Sequence, residues 1–209
     1  MRDYFYKKIV LIFCVTGLIV YSGCDLEQTS QATPEDAVRK FMNGYVRLNK
    51  AKVLSAVTGS KSEIEALSVY MDYMIALRDF KKLMIAEYGK SGWSYFEKEG
   101  GARLTLNMKP NGINLNTAKI KMKKNKATFV FPDESVTLRL YLEEGCWYVD
   151  AADVLETEGM SLRKFIAMWK SVTNVIKAKQ QKIGQPDVTA QSLDMEMGAE
   201  LSAVLIRSS

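Results

Sequence analysis

An α+β domain is the fold this sequence predicts: N-terminal helices packed on a curved antiparallel sheet of about five strands, with additional C-terminal helices. Two changes of apolar period and one spacing rule predict it. Apolar residues recur every three or four positions from Ala37 to Tyr88, alternate from Leu104 to Ala151, and return to helical spacing from Leu162 onward. The links between the alternating runs are short, which favours antiparallel meander pairing. Helices segregated from strands mark an α+β arrangement, with the apolar face of the sheet covered by helices.

The first helix starts at Thr33-Pro34-Glu35-Asp36: an N-cap threonine, proline at the first helical position and acids in the first turn. Ala37, Val38, Phe41, Met42 and Tyr45 then share a face through about Leu48. A short helix over 51–57 ends before Gly59, with no clear strand before the next helix. Ser60-Lys61-Ser62-Glu63 forms a capping box and opens a long helix to Tyr88, with Gly89 as its stop. Its stripe of Ala66, Tyr70, Tyr73, Leu77, Phe80 and Met84, widened by Ile64, Leu67, Met71 and Met74, predicts burial against more than one partner.

Five alternating runs follow: 104–108, 118–122, 127–131, 136–142 and 147–151, separated by turn sequences such as Lys109-Pro110-Asn111-Gly112 and Glu143-Glu144-Gly145. A helix over 160–183, carrying Leu162, Phe165, Trp169, Val172 and Ile176 on one side, is stopped by Gly184 and Pro186. Ala190, Leu193, Met197, Leu201 and Val204 predict a last helix.

The N-terminal stretch decides where this domain resides. Arg2, Lys7 and Lys8 precede the twelve-residue apolar run Ile9–Val20, then Tyr21, Ser22, Gly23 and Cys24. A bilayer core requires about 20 apolar residues in a helix, so the run is short for a span and has the form of an export signal. An ordinary cleaved signal and an uncleaved anchor helix are the alternatives. Ser22-Gly23-Cys24 resembles the bacterial lipobox, although Tyr21 stands where that pattern usually has an aliphatic residue. The resemblance implies cleavage before Cys24, lipid attachment at Cys24, palmitate among the chains, and a membrane partner through that anchor. It places the protein in the cell envelope on the periplasmic or extracytoplasmic face, and Asp25 leans it toward the inner membrane. Organisation follows as signal 1–23, tether 24–33, α+β domain 34–155 and helical extension of the same domain 156–209.

Residues 1–23 hold Arg2, Lys7 and Lys8 against Asp3, so a chain processed before Cys24 keeps 186 residues with 26 basic and 23 acidic side chains, net +3. So small a charge does not argue for nucleic acid. The chain has no histidine, which removes Ser-His-Asp and Cys-His catalysis and histidine-ligated zinc. It carries no GxGxxG or GxxxxGK[ST], and no Asp/Asn-rich loop with cation-ligand spacing, so neither cofactor nor metal is expected. With Cys14 lost in the signal and Cys24 lipidated, Cys146 is expected as a lone packed thiol, and no intramolecular disulfide forms.

Helices followed by a sheet whose last hairpin reads LRLYLEEGCWYVDAADV resemble the nuclear transport factor 2-like (cystatin-like) superfamily. TPEDAVRKFMNGYVRLN is similar to the first helix of many secreted members, and AEYGKSGW to the helix end in bacterial lipoproteins of this type. The resemblance covers about residues 34–155 and implies a cone-like fold, not a specific function. The long third helix and the extra C-terminal helices depart from it, and the latter would cover the sheet or plug the mouth of the cone.

Three constellations could carry function. Tyr70, Tyr73 and Asp72 on the long helix invite comparison with cavities where tyrosine and an acid polarise a carbonyl, although only the tyrosines share a face, and Asp150 at the end of the last strand is a candidate for the rim of such a cavity. The plainer reading is a packed stripe and a helix-entry acid, with Asp153 beside it. From Ala102 to Pro132 stand Arg103, Lys109, Lys119, Lys121, Lys123, Lys124 and Lys126 with no acid. Such an edge suits an anionic envelope surface or a protein partner, while lysines also keep an edge strand from pairing wrongly. Cys146 lies beside Glu143 and Glu144, a setting that does not activate a thiol. The expectation is therefore a membrane-tethered, non-catalytic binding module. The alternative is small-molecule binding or Asp/Tyr acid–base chemistry in a cone cavity.

Overall fold

A computed structural model describes residues 31–98, 118–131, 137–155, 157 and 159–208. Helix α1 spans Pro34–Val46 and α2 spans Lys50–Leu54, followed by strand β1, Val57–Thr58, and helix α3, Lys61–Lys98. Strands β2 (Lys119–Lys123), β3 (Lys126–Val130), β4 (Thr137–Glu143) and β5 (Cys146–Asp150) come next. A 3-10 turn over Ala151–Asp153 leads to helices α4 (Leu162–Gln180) and α5 (Ala190–Ser208). The class is α+β, with C-terminal helices following a five-stranded sheet.

Both N-terminal caps form as their residue types dictate. Thr33 Oγ1 accepts from the Asp36 amide at 3.2 Å, and its hydroxyl donates to Asp36 at 2.7 Å. Ser60 and Glu63 close the reciprocal box, the Ser60 amide donating to Glu63 at 2.7 Å and the Glu63 amide to Ser60 at 3.3 Å. Gly89 interrupts α3 at φ 71°, but helical chain resumes beyond it to Lys98, so the break is a kink and not the end. Its sharpness shows in the rings: Trp93 lies 6.4 Å from Phe80, thirteen residues back, where a straight helix would separate them by about 20 Å.

The sheet order is β1-β5-β4-β3-β2. The four later strands form the expected antiparallel meander, yet the sheet is mixed, because β1 pairs parallel with β5 through Val57↔Val149 and Thr58↔Asp150. This corrects the fully antiparallel expectation and the missing strand between α2 and α3. Two residues are too few to show alternation, and β1 exists only through its partner. The run expected at 104–108 lies outside the described residues.

Alternation fixes which face is dry. Ala127, Phe129, Leu138, Leu140, Trp147 and Val149 are buried, while Lys121, Arg139 and Glu143 point to the exposed side. The dry face joins α1 and α3 in one continuous core that includes Leu67, Met71, Leu77 and Phe80. Helices α4 and α5 pack principally on α3 and on each other. Their Phe165, Ile176, Leu193 and Met197 belong to the same core, so the C-terminal helices extend one domain.

Candidate functional site

Tyr70 and Tyr73 lie on α3 under α4. Tyr73 stacks at 4.2 Å centroid distance on Trp169, Tyr70 meets Trp169 edge-on at 5.3 Å, and Phe165 closes the group at 6.2 Å from Tyr70. The two tyrosines are 5.8 Å apart. Burial, with Tyr70 adding to it, pushes the Tyr73 hydroxyl well above the ordinary tyrosine range, so it stays protonated. Trp169 Nε1 is a buried donor with no hydrogen-bond partner among the described residues. This is a filled aromatic layer, with ring faces where a carbonyl substrate would need space.

Asp150 does not join it. Alternation along β5 puts Val149 on the dry face and Asp150 on the opposite one, where its carboxylate lies 3.2 Å from Arg139 and accepts from the Ala152 amide at 3.0 Å. Asp153 takes the other side of the same guanidinium at 2.6 Å and also accepts from the Arg139 amide. Both acids thus brace the turn after β5 against β4. Hydrogen bonding to Asp153, then its charge, raises Arg139 above its ordinary value. The predicted Tyr70, Tyr73 and Asp150 are therefore not brought together. Asp72 is drawn away as well, pairing with Lys50 at 2.7 Å.

The basic edge is assembled as the spacing implies. β2 is the outermost strand among the described residues, and Lys119, Lys121 and Lys123 alternate along its exposed side. Lys123 stands directly opposite Lys126, and Lys124 occupies the turn at φ 54°. Lys126 Nζ sits 5.3 Å from the Tyr141 ring centroid. Met122, on the other side of β2, is 58 % exposed. Arg103 and Lys109 lie outside the described residues.

Two features at the opposite edge escaped the sequence reading. Gln31, counted as tether, is buried and paired to β5: its carbonyl accepts from the Trp147 amide at 2.8 Å and its side-chain amide donates to the Trp147 carbonyl. The buried Lys40 ammonium donates to the Gln31 side-chain oxygen at 2.8 Å. Residue 31 is therefore part of the packed domain. Cys146, next to Trp147, is buried and disulfide-bonded, which corrects the lone-thiol expectation. That expectation spent Cys14 on cleavage and Cys24 on lipid, whereas the unprocessed chain keeps all three cysteines. The bonded partner lies outside the described residues, as do Cys14 and Cys24. No helix among the described residues is long and apolar enough to cross a membrane.

Among the described residues no group of three Cys, Asp or Glu could hold a metal ion. An open cleft lined by Ser62, Glu65, Arg163 and Ile166 lies between the first turns of α3 and α4. Comparison with family models, with curated proteins and with solved structures finds no match to this chain.

Proposed function

We propose that this chain is an exported, membrane-tethered protein of the bacterial cell envelope whose domain is a non-catalytic binding module. The observation that carries the non-catalytic part is the packing of Trp169 and Phe165 over Tyr70 and Tyr73, which leaves the two tyrosines no open space beside them. The order of helices, sheet and closing hairpin supports the nuclear transport factor 2-like reading of the architecture. The acid–base alternative draws no support from Asp150, which is engaged by Arg139.

Export is supported by the N-terminal sequence: the basic head, short apolar run and Ser22-Gly23-Cys24 are the marks of a processed signal. Lipid attachment and the Cys146 disulfide exclude each other in one molecule, because cleavage removes Cys14 and lipidation consumes the Cys24 sulfur. The tethered form is the mature one on this reading, and the disulfide belongs to the unprocessed chain.

Intact mass and thiol counting on protein extracted from its own envelope test this directly. A lipid-bearing chain beginning at Cys24 with one thiol reactive only after unfolding is expected. Cys24→Ala should then remain as unprocessed precursor. A mature chain without lipid and without a free thiol would overturn the anchor while keeping export.

A further inference from the structure

We infer that the β2–β3 hairpin lies against the anionic headgroups of the bilayer that carries the anchor, so that the domain is held by a basic tip as well as by its tether. The inference rests on the tethered reading and adds an orientation to it. Three observations point the same way.

The first is where the chain enters. Gln31 pairs with Trp147, Trp147 stands opposite Leu142, and the Leu142 amide donates to the Asn125 carbonyl in the β2–β3 turn at 2.9 Å. The entry point and the lysine turn therefore share one end of the sheet. Four strand spacings separate Gln31 from β2, about 19 Å across. The six residues from Asp25 to Ser30 let Cys24 stand at most about 25 Å from Gln31. An anchor within that reach lets the whole end of the sheet, turn included, meet the headgroup layer.

The second is charge. Lys121, Lys123, Lys124 and Lys126 are all exposed at this end. The acids facing them are Glu143 and Glu144 of the neighbouring turn, and Glu143 already accepts from Thr58 at 2.9 Å. The third is Met122, an exposed apolar side chain on the opposite side of the same strand end. Long alkyl stems ending in ammonium groups on one side of the hairpin tip, and a thioether on the other, match an interface that is apolar below and anionic above. A purely polar protein partner would have no use for the methionine.

Lysine acylation read by mass spectrometry tests this on the lipid-bearing protein reconstituted into phosphatidylcholine vesicles with or without phosphatidylglycerol. Lys121, Lys123, Lys124 and Lys126 should react more slowly on the anionic vesicles, with the difference erased by high salt, while the distant Lys61 and Lys177 stay unchanged. Lys124→Gly should reduce the protection about fivefold, and Lys121→Glu, a change of two charges, about thirtyfold. Glycine accepts the positive φ of Lys124, so the first variant keeps its fold. Equal reactivity on both vesicles overturns the inference, as does protection that persists in detergent, which would assign the tip to a protein contact or a second copy. The mass of the same sample reads the anchor separately. Lipid without protection sinks only the hairpin contact; protection without lipid sinks only the tether.

Discussion

Lys179 is 2 % exposed, yet its ammonium is bonded to two carboxylates of the next helix, Glu196 at 2.9 Å and Glu200. Burial pulls its pKa down, and the hydrogen bonds it donates to Glu200 and Glu196, with their charges, more than reverse this, leaving it raised. Lys182, then Lys179, holds the Glu196 carboxyl down at about 2. The partners are half in water, so most of what Lys179 contributes is its buried stem. Lys179→Ala should cost about 1–3 kcal/mol in urea unfolding, and Lys179→Met should recover most of it. The pH sign follows from the direction of each shift. A depressed carboxylate stabilises above its ordinary value of 4.5, and that contribution is lost as pH falls toward 2. A raised lysine stabilises at neutral pH and loses its contribution only above 10.5. Melting temperature followed from pH 5 to pH 2 should fall less steeply in Glu196→Gln than in the parent chain; parallel curves would refute the assignment.

At the scale of elements, the junction of α3 with α4 decides whether the domain is closed. Trp169→Ala should cost about 3–5 kcal/mol in urea unfolding and expose the hydroxyl of Tyr73. Ultraviolet titration would then show Tyr73 ionising nearer the ordinary tyrosine value of 10.0. Trp169→Phe removes the orphan indole donor along with some ring area, so its cost should fall well below that of the alanine variant. The sharing of one helical face by Tyr70 and Tyr73 was legible in the sequence, because helical spacing is local. What that face meets was not, since Phe165 and Trp169 arrive from about a hundred residues further along. The same division explains the caps and β1. Thr33, Pro34, Ser60 and Glu63 act within one turn of chain and could be read directly, whereas Val57 and Thr58 become a strand only by pairing with β5.

Over the whole molecule, one core joins α1 to α5, and Gln31 is clamped to its edge at Trp147. That polar residue has no periodicity to announce it, and its partner Trp147 is 116 residues away, so the sequence suggested tether where the structure has an attachment. The alternation that set Lys121 and Lys123 outward on β2 was legible, but not that their turn shares an end of the sheet with the chain's entry. Gln31→Ala removes the side-chain half of the attachment and the acceptor of a buried ammonium. It should cost about 1–3 kcal/mol in chemical denaturation. Hydrogen exchange at the Trp147 amide should also quicken ahead of the rest of β5; uniform protection would count against the clamp.

The Gln31 clamp also makes the domain a mechanical device. Tension applied to the chain ahead of Gln31 is delivered first to the pair at Trp147, and from there to β5, which β4 and β1 grip on either side. A pull that peels this one pair apart frees a few residues while the strand pairs of the sheet stay intact. The clamp thus stands in series between the N-terminal segment and the fold, as a fuse does.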